Sequence, residues 1–522
     1  MKTKKIFVAC ALSVCVTTVY SQNVVARSDE GIFNAMQDEL DSCKKEIGSR
    51  LGEHTFFLEF TASQSRSSVV LACAENITYE EKAPSNNCKA TITLTGDMVV
   101  RENAAHVTSH YDFREDGGWA SLREGLRASA KQSLKSVLAE TDSRKQMSPD
   151  ARFVSLLPIT RIEESAFSKP VPVEMMKGLC RSAMANIAES SALYDDTLCI
   201  ALHQANLYRL TSEGQKTRTA ERYYMVQLVV HGKNADNRDA RFLFSKVYEE
   251  EQILKCLSAM EKDLSGFAKA ASAACQSKDV KKEIIYEGPV LFEGEAAWSA
   301  MFKDSGWHNQ MCSNVVSNRY PIGANICHQC VSLSQQNNIY STSRHIVDAD
   351  GVCVKDMQLV SNGVLVKKIG GRVVYDADVS STGNNMFSSL VLTPSTRYSS
   401  LCALPSQTVL AVKMRQDLIT EAKARGLRCA YIIRRLYGIT EIVEVNTATG
   451  KETILNADVH IQNKQMTDTD EFSTERYTNV SIEGGNPLTF VGPQSVLLKN
   501  AKVNVDKPFT LENVNYVTKP KK

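Results

Sequence analysis

Apolar side chains recur at helical spacing in "SDEGIFNAMQDELDSCKKEIGSR", where Ile32, Met36, Leu40, Cys43 and Ile47 fall on one face. Ser28 stands ahead of the first turn as an N-cap, and the acids behind it complement the helix dipole. The segments "TFFLEFTASQ", "SSVVLACAENITY" and "CKATITLTGDMVVREN" are rich in β-branched and aromatic residues and read as strands. In "DGGWASLREGLRASAKQSLKSVLAETDSRK", Leu122, Leu126, Ala130, Leu134 and Leu138 recur every four residues, the mark of a long amphipathic helix. A third helix follows in "VEMMKGLCRSAMANIAE". The stretch "DTLCIALHQANLYRLTSEGQKTRTAERYYMVQLVVHG" reads as two strands joined by a tight turn at Ser212-Glu213-Gly214. A fourth helix, "YEEEQILKCLSAMEKDLSGFAKAASAAC", aligns Ile253, Leu257, Met260, Leu264 and Phe267. No βαβ rhythm links these elements. The pattern predicts an α+β fold: an N-terminal antiparallel sheet with long helices on one side.

The pattern changes after about residue 285. "YEGPVLFEGEAAWSAMF" begins as a buried strand and turns into a helix, with Glu293 and Glu295 at the junction. Apart from helices near 293–303 and 412–425, the remainder is strand-like. Hairpin dipeptides recur at Asp350-Gly351, Asn362-Gly363, Gly370-Gly371, Thr449-Gly450 and Gly484-Gly485. The expectation is a β-rich C-terminal domain of mostly antiparallel hairpins, whose edges need closure or a partner. The boundary falls in "SKDVKKEI". The division is a signal peptide over 1–21, an α+β domain over 22–284 and a β-rich domain over 285–522.

A chain of 522 residues has room for two or three domains. Its apolar fraction of 43 % and charged fraction of 23 % are ordinary for a folded protein. A net charge of +2 sets up no field that would gather nucleic acid or an anionic membrane, and the "KPKK" ending is a solvated tail. The leader is more informative. "MKTKK" is a cationic start, "IFVACALSVCV" is an apolar stretch too short to span a bilayer, and "VYSQ" places Val19 and Ser21 at the −3 and −1 positions of a cleavage site. This predicts export, periplasmic or extracellular, with cleavage after Ser21. Val14 ahead of Cys15 makes a poor lipobox. No later segment reaches about 18 unbroken apolar residues, so the mature chain is expected to have no membrane span. Removing Cys10 and Cys15 with the leader leaves thirteen cysteines. In an oxidising compartment an odd count leaves at least one thiol free of intramolecular pairing, and a few bridges beside several buried thiols are expected.

Candidate chemistry is sparse. Cys327-His328-Gln329-Cys330 is a compact ligand cluster, but a CxxC knuckle needs a second pair to close a zinc tetrahedron. A zinc site, a disulfide and reduced structural thiols all stay open for Cys327 and Cys330. Cys312, Cys353 and Cys402 are isolated. His106 and His110 would share a face only in a helix, and their segment reads as extended. Glu293 and Glu295 are read as helix-start carboxylates meeting the dipole; a general-base role needs a metal or nucleophile beside them. Neither GxSxG nor GxxxxGK[ST] occurs.

Several landmarks, taken in order, resemble the TldD/PmbA family, metallopeptidase-like proteins once called modulators of DNA gyrase. "GGWASLREGLRASAKQSLKSVLAE" is similar to its N-domain helix and "YRLTSEGQKTR" to its "NSEG" hairpin. "YEGPVLFEGEAAWSAMF" is similar to the segment that opens its C-domain. "VDADGVCVKDMQLVSNGVLV", "VVYDADVSSTGNNMFSSLVLTPS", "MRQDLITEAKARGLRCAYIIRRL" with "VEVNTATGKET", and "GPQSVLLKNAKV" follow in the family's order. The resemblance implies an α+β domain followed by a β-rich one. In active members it also implies a HExxxH helix that binds zinc, completed by a distant cysteine. That motif is missing. "LFEGEAAWSAMFKDSGWH" has no His-Glu pair, His308 stands alone, and "GGNPLTFVGPQSV" has no cysteine. Glu293 and Glu295 mark the position of the family's metal helix, with no zinc expected there and no other cofactor. The resemblance thus implies a motif-lacking member: a peptide-binding or partner subunit in proteolysis, working beside a HExxxH-bearing paralogue or as a homo-oligomer. The alternatives are an exported binding or structural protein that keeps only the scaffold, and a peptidase with a relocated site.

Overall fold

Alternation in "FFLEFTASQS" gives one strand two faces. Leu58, Phe60 and Ala62 enter the core, whereas Glu59, Thr61 and Ser63 point the other way. The computed structural model describes residues 29–73, 76–95, 99–101, 109–110, 119–144, 152–153, 155–188, 192–233, 239–249, 253–302, 320–336, 347, 356–368, 372–374, 400–405, 408–465, 470–483 and 486–506.

The first part runs α1 (Asp29–Leu51), β1 (Phe56–Cys73), β2 (Asn76–Glu81), β3 (Ser85–Thr95), β4 (Val99–Arg101), β5 (Ser109–His110), α2 (Ala120–Arg144), β6 (Arg152–Phe153), β7 (Thr160–Ile162), α3 (Val173–Ala188), β8 (Leu193–Thr211), β9 (Lys216–Lys233), β10 (Asp239–Glu249) and α4 (Ile253–Cys275). Among the described residues these strands form a nine-stranded sheet ordered β10-β9-β8-β1-β3-β4, with β2, β5 and β7 on its margins; β6 alone lies outside it. Helices α1 and α2 cover Phe60, Ala90, Ile92 and Leu210 at one end. Helices α3 and α4 cover Val70, Ile200, Val226 and Leu228 at the other. Strand parity puts both helix pairs on the same face. Between them runs the loop after β7. Arg222 donates to the carbonyls of Ala166 (3.1 Å), Lys169 (2.8 Å) and Pro170 (2.9 Å), which ties this loop to β9.

The second part runs β11 (Lys278–Asp279), β12 (Ile284–Gly294), α5 (Glu295–Met301), β13 (Val331–Gln336), β14 (Met357–Ser361), β15 (Val364–Leu365), β16 (Val373–Val374), β17 (Ser400–Pro405), α6 (Ala411–Ala424), β18 (Cys429–Leu436), β19 (Ile439–Asn446), β20 (Glu452–Asn456), β21 (Asp458–Gln465), β22 (Glu471–Phe472), β23 (Arg476–Glu483), β24 (Asn486–Pro493) and β25 (Ser495–Asp506). One sheet is ordered β11-β20-β19-β18-β12-β25-β21, with β22 beside β25. A second is ordered β15-β14-β13-β17-β24-β23. Helix α6 buries Met414, Leu418 and Ala422 against Leu291, Ile432, Val443 and Leu497. The opposite face of the same sheet carries Phe292, Tyr431 and Val496 into the largest core, together with α5.

The architecture is the expected α+β arrangement with antiparallel hairpins. Asn362 (φ 47°) and Gly363 (φ 81°) make the left-handed turn between β14 and β15 that their dipeptide predicts. An unexpected turn of the same kind joins β18 to β19 at Tyr437 (φ 56°) and Gly438 (φ 79°). Parallel pairing also enters, between β12 and β18 and between β17 and β24. Asp350-Gly351, Gly370-Gly371 and Gly484-Gly485 lie outside the described residues. No described helix is long and apolar enough to cross a membrane. Of the few bridges and several buried thiols expected, the nine described cysteines supply only thiols: all nine are free, which corrects the expectation of bridges among them. Burial in separate apolar clusters explains part of this, and it pushes the Cys43, Cys88 and Cys180 thiols up to about 12.

Strands β6 and β16 pair antiparallel and bring the two parts of the chain together. Arg372 is buried there. Its guanidinium lies 4.1 Å from the Phe57 ring and 4.4 Å from the Phe153 ring, and it pairs with Glu213 in the β8–β9 turn. Replacing Arg372 by Met strips Glu213 of this cation and both rings of their partner. The expected loss is about 3 kcal/mol of stability, in the range for breaking a buried ion pair, read as a lower urea midpoint. An unchanged midpoint would show that this clamp carries no net stability.

Candidate functional site

The junction of β12 and α5 is the position that the resemblance gives to the family's metal helix, with no zinc expected there. Strand β12 pairs in parallel with β18, so that Glu293 stands opposite Arg434 and Gly294 opposite Arg435. At Gly294 the backbone turns left-handed, with φ 66° and ψ −133°. A Cβ there would lie 2.3 Å from the Arg435 carbonyl oxygen, so only glycine fits. The turn separates the two acids.

Glu293 projects to the α6 face. Its carboxylate accepts from Arg434 Nε at 2.7 Å and from Arg415 Nη2 at 3.2 and 3.3 Å. Arg415 continues to Glu452 at 3.1 Å, and Arg434 to Glu441 at 2.9 Å. Helix α6 is anchored at its start by Glu475, whose Oε2 accepts the Ala411 N–H at 3.0 Å. The helix-start reading of Glu293 is therefore corrected. Its carboxylate neutralises two guanidinium groups from β18 and α6, because strand parity turns it away from the helix.

Glu295 does begin α5. It meets Arg435 Nε at 3.1 Å and shares a hydrogen bond with Tyr477 of β23. Burial holds its carboxyl above the usual range, and the Arg435 and Lys246 charges and the Tyr477 hydrogen bond only partly oppose this. The two glutamates do not form an acid–base pair.

The rest of α5 is apolar. Ala297, Ala300 and Met301 are fully buried. Trp298 lies edge-on to Phe490 at 5.4 Å and covers Gly492, where a Cβ would meet its ring at 2.8 Å. The residues present do not fit a zinc ion. The helix offers no imidazole or thiolate, and its inward side chains are already packed. No group of three His, Cys, Asp or Glu among the described residues is placed to hold a metal. His106, His308, Cys312 and Cys353 lie outside the described residues, and His110 lies in the short strand β5.

Cys327 and Cys330 sit directly behind α5. Phe302 bridges to Cys327, and the His328 N–H donates to the Met301 carbonyl at 3.0 Å. Both thiols are free, which leaves no disulfide between them. Cys327 points into the core, with Sγ 3.7 Å from the His328 carbonyl oxygen, whereas Cys330 is half-buried. His328 had no evident partner in the sequence. Its Nδ1 accepts the Cys330 N–H at 3.1 Å, so the ring proton resides on Nε2, which lies 3.4 Å from Asp470 Oδ2. Both side chains are almost wholly buried. The pair braces the end of α5 against the loop before β22.

No protein-family model matches the sequence, and no curated protein matches it either. Solved structures do. A candidate modulator of a DNA gyrase from Thermotoga maritima aligns over 89 % of this chain and 99 % of its own, at 12 % identity and a TM-score of 0.55. TldE from Thermococcus kodakarensis aligns over 90 % and 99 %, at 13 % identity and 0.52. A candidate modulator of DNA gyrase from Bacteroides thetaiotaomicron aligns over 92 % and 99 %, at 10 % identity and 0.54. The chain has the TldD/TldE fold. Within that fold the β12–α5 junction is filled by packing and ion pairs.

Gly294→Ala combines backbone strain with a clash against fixed backbone. Gly52 also has positive φ (61°), but a Cβ there would meet nothing within 4 Å. The expected cost is about 1 kcal/mol for Gly52→Ala and at least about 3 kcal/mol for Gly294→Ala, compared by thermal unfolding. Equal costs would mean that the Arg435 carbonyl can move away.

Proposed function

We propose that this chain is an exported, non-catalytic member of the TldD/PmbA group. In this reading it binds extended peptides and serves as a partner subunit in proteolysis, beside a HExxxH-bearing paralogue or a second copy of itself. The carrying observation is the composition of α5, which has alanines, Trp298 and Met301 packed into the core where an active member would hold its metal. A water activated by zinc needs three protein ligands and an open fourth position, and this helix offers neither. The basic and apolar leader supports export. The outermost strand β21 supports peptide binding, because an unpaired strand edge can ladder with an extended chain.

Purified from residue 22 onward, the protein should contain far less than one zinc per chain by elemental analysis. Co-expressed with a HExxxH paralogue, it should elute as a complex whose light-scattering mass equals the two chains together. Stoichiometric zinc with chelator-sensitive peptide hydrolysis by this chain alone would overturn the reading.

A further inference from the structure

Two outermost strands meet beside Glu295. Strand β10 ends the nine-stranded sheet, β23 ends the six-stranded one, and they pack together without forming a ladder. The contact between them is polar. From the first sheet, Lys246 of β10 reaches Asp263 of α4 at 2.6 Å, and Tyr248 donates to the same oxygen at 2.7 Å. From the other side, Tyr477 of β23 in the six-stranded sheet and Arg435 of β18 in the eight-stranded sheet hold Glu295. Tyr437, in the β18–β19 turn, rests its hydroxyl on α4, where a Cβ at Gly266 would be 2.6 Å away. The charged and titratable groups facing Glu295 are thus Arg435, Lys246 and Tyr477, with Asp263, Tyr248 and Tyr437 behind them. Strand β24 contributes none, and Glu293 of β12 points to the other face.

This seam is unevenly compensated. The Glu295 side chain is 23 % exposed, whereas that of its ion-pair partner Arg435 is 55 % exposed. A solvated guanidinium pairs weakly, so the carboxylate is desolvated more than it is rewarded. If Glu295 takes up a proton, Arg435 can turn into water at little cost. We propose that Glu295 is the proton-operated element of a latch between α4–β10 and α5–β23. Neutral Glu295 lets the seam close; ionised Glu295 loosens it and frees the outer edges of β10 and β23. This latch does not depend on the chain being a partner subunit.

The direction follows from linkage. A carboxyl held above its ordinary range binds its proton more tightly in the folded seam than in the unfolded chain. The seam therefore has its full stability below the ordinary carboxylate range, loses stability as pH climbs from that range to the raised value, and loses no more beyond it. Hydrogen exchange of the full mature chain, corrected for intrinsic rates, tests this between about pH 4 and about pH 8, with α1 as internal control. Peptides covering Glu295–Met301 and Arg476–Glu483 should exchange at least about fivefold more slowly at the acid end. Glu295→Gln should stay protected throughout. Tyr477→Phe removes a donor to the carboxylate and should move the transition to higher pH. Uniform protection across the range would overturn the proposal, as would a Glu295→Gln variant with the wild-type profile. If Glu295→Gln does not fold, the Tyr477→Phe shift decides, and an unmoved midpoint counts against the latch.

Discussion

The left-handed backbone at Gly294 is the constraint on which the rest of the site depends. A residue with a side chain there would be strained and would press on the Arg435 carbonyl. The glycine turns the chain from β12 into α5, tight against the Arg435 carbonyl. Adjacent acids then serve opposite faces of one sheet. Glu293 ties α6 to β18 through two arginines, and Glu295 faces the seam toward the first sheet. The close parallel neighbour β18 supplies arginines to both faces in successive positions, which is why neither acid is left without a cation.

Helix α5 is held in place by packing. Trp298 lies edge-on to Phe490 of β24, and its ring needs the missing side chain at Gly492. The end of the helix is braced by the His328–Asp470 contact and by the bridge from Phe302 to Cys327. Placing histidines on this helix would put polar groups in a filled apolar volume, so building a metal site there would require changes on β24 and around Cys327 as well.

Helices were legible wherever apolar residues kept a four-residue rhythm over several turns, as in α1, α2 and α4. Hairpins were legible where a dipeptide such as Asn362-Gly363 must adopt positive φ. Tyr437-Gly438 was missed because tyrosine is not a residue that seeks the left-handed region. The stretch "FEGE" correctly marked a strand becoming a helix, but its two acids looked like neighbours. Their separation is set by one dihedral angle and by strand parity, which composition does not express. The partners of Glu293 are Arg415 and Arg434, 122 and 141 residues away, and Asp470 is equally distant in kind from His328. Pairings over such separations are products of topology. The parallel register of β12 with β18, which creates the first of them, has no local signature either.

Arg372 has a consequence for how the chain acquires its structure. It closes the underside of the first sheet at Phe57 and Glu213, yet it follows Glu213 by 159 residues. The early hairpin β8–β9 can form soon after it is made, but its turn is completed only by a residue from deep in the second part. Contacts of this span are slow to form, because a long loop must close before they reward it. Whatever order the two parts fold in, Phe57 and Glu213 gain this cation only once the later chain has arrived.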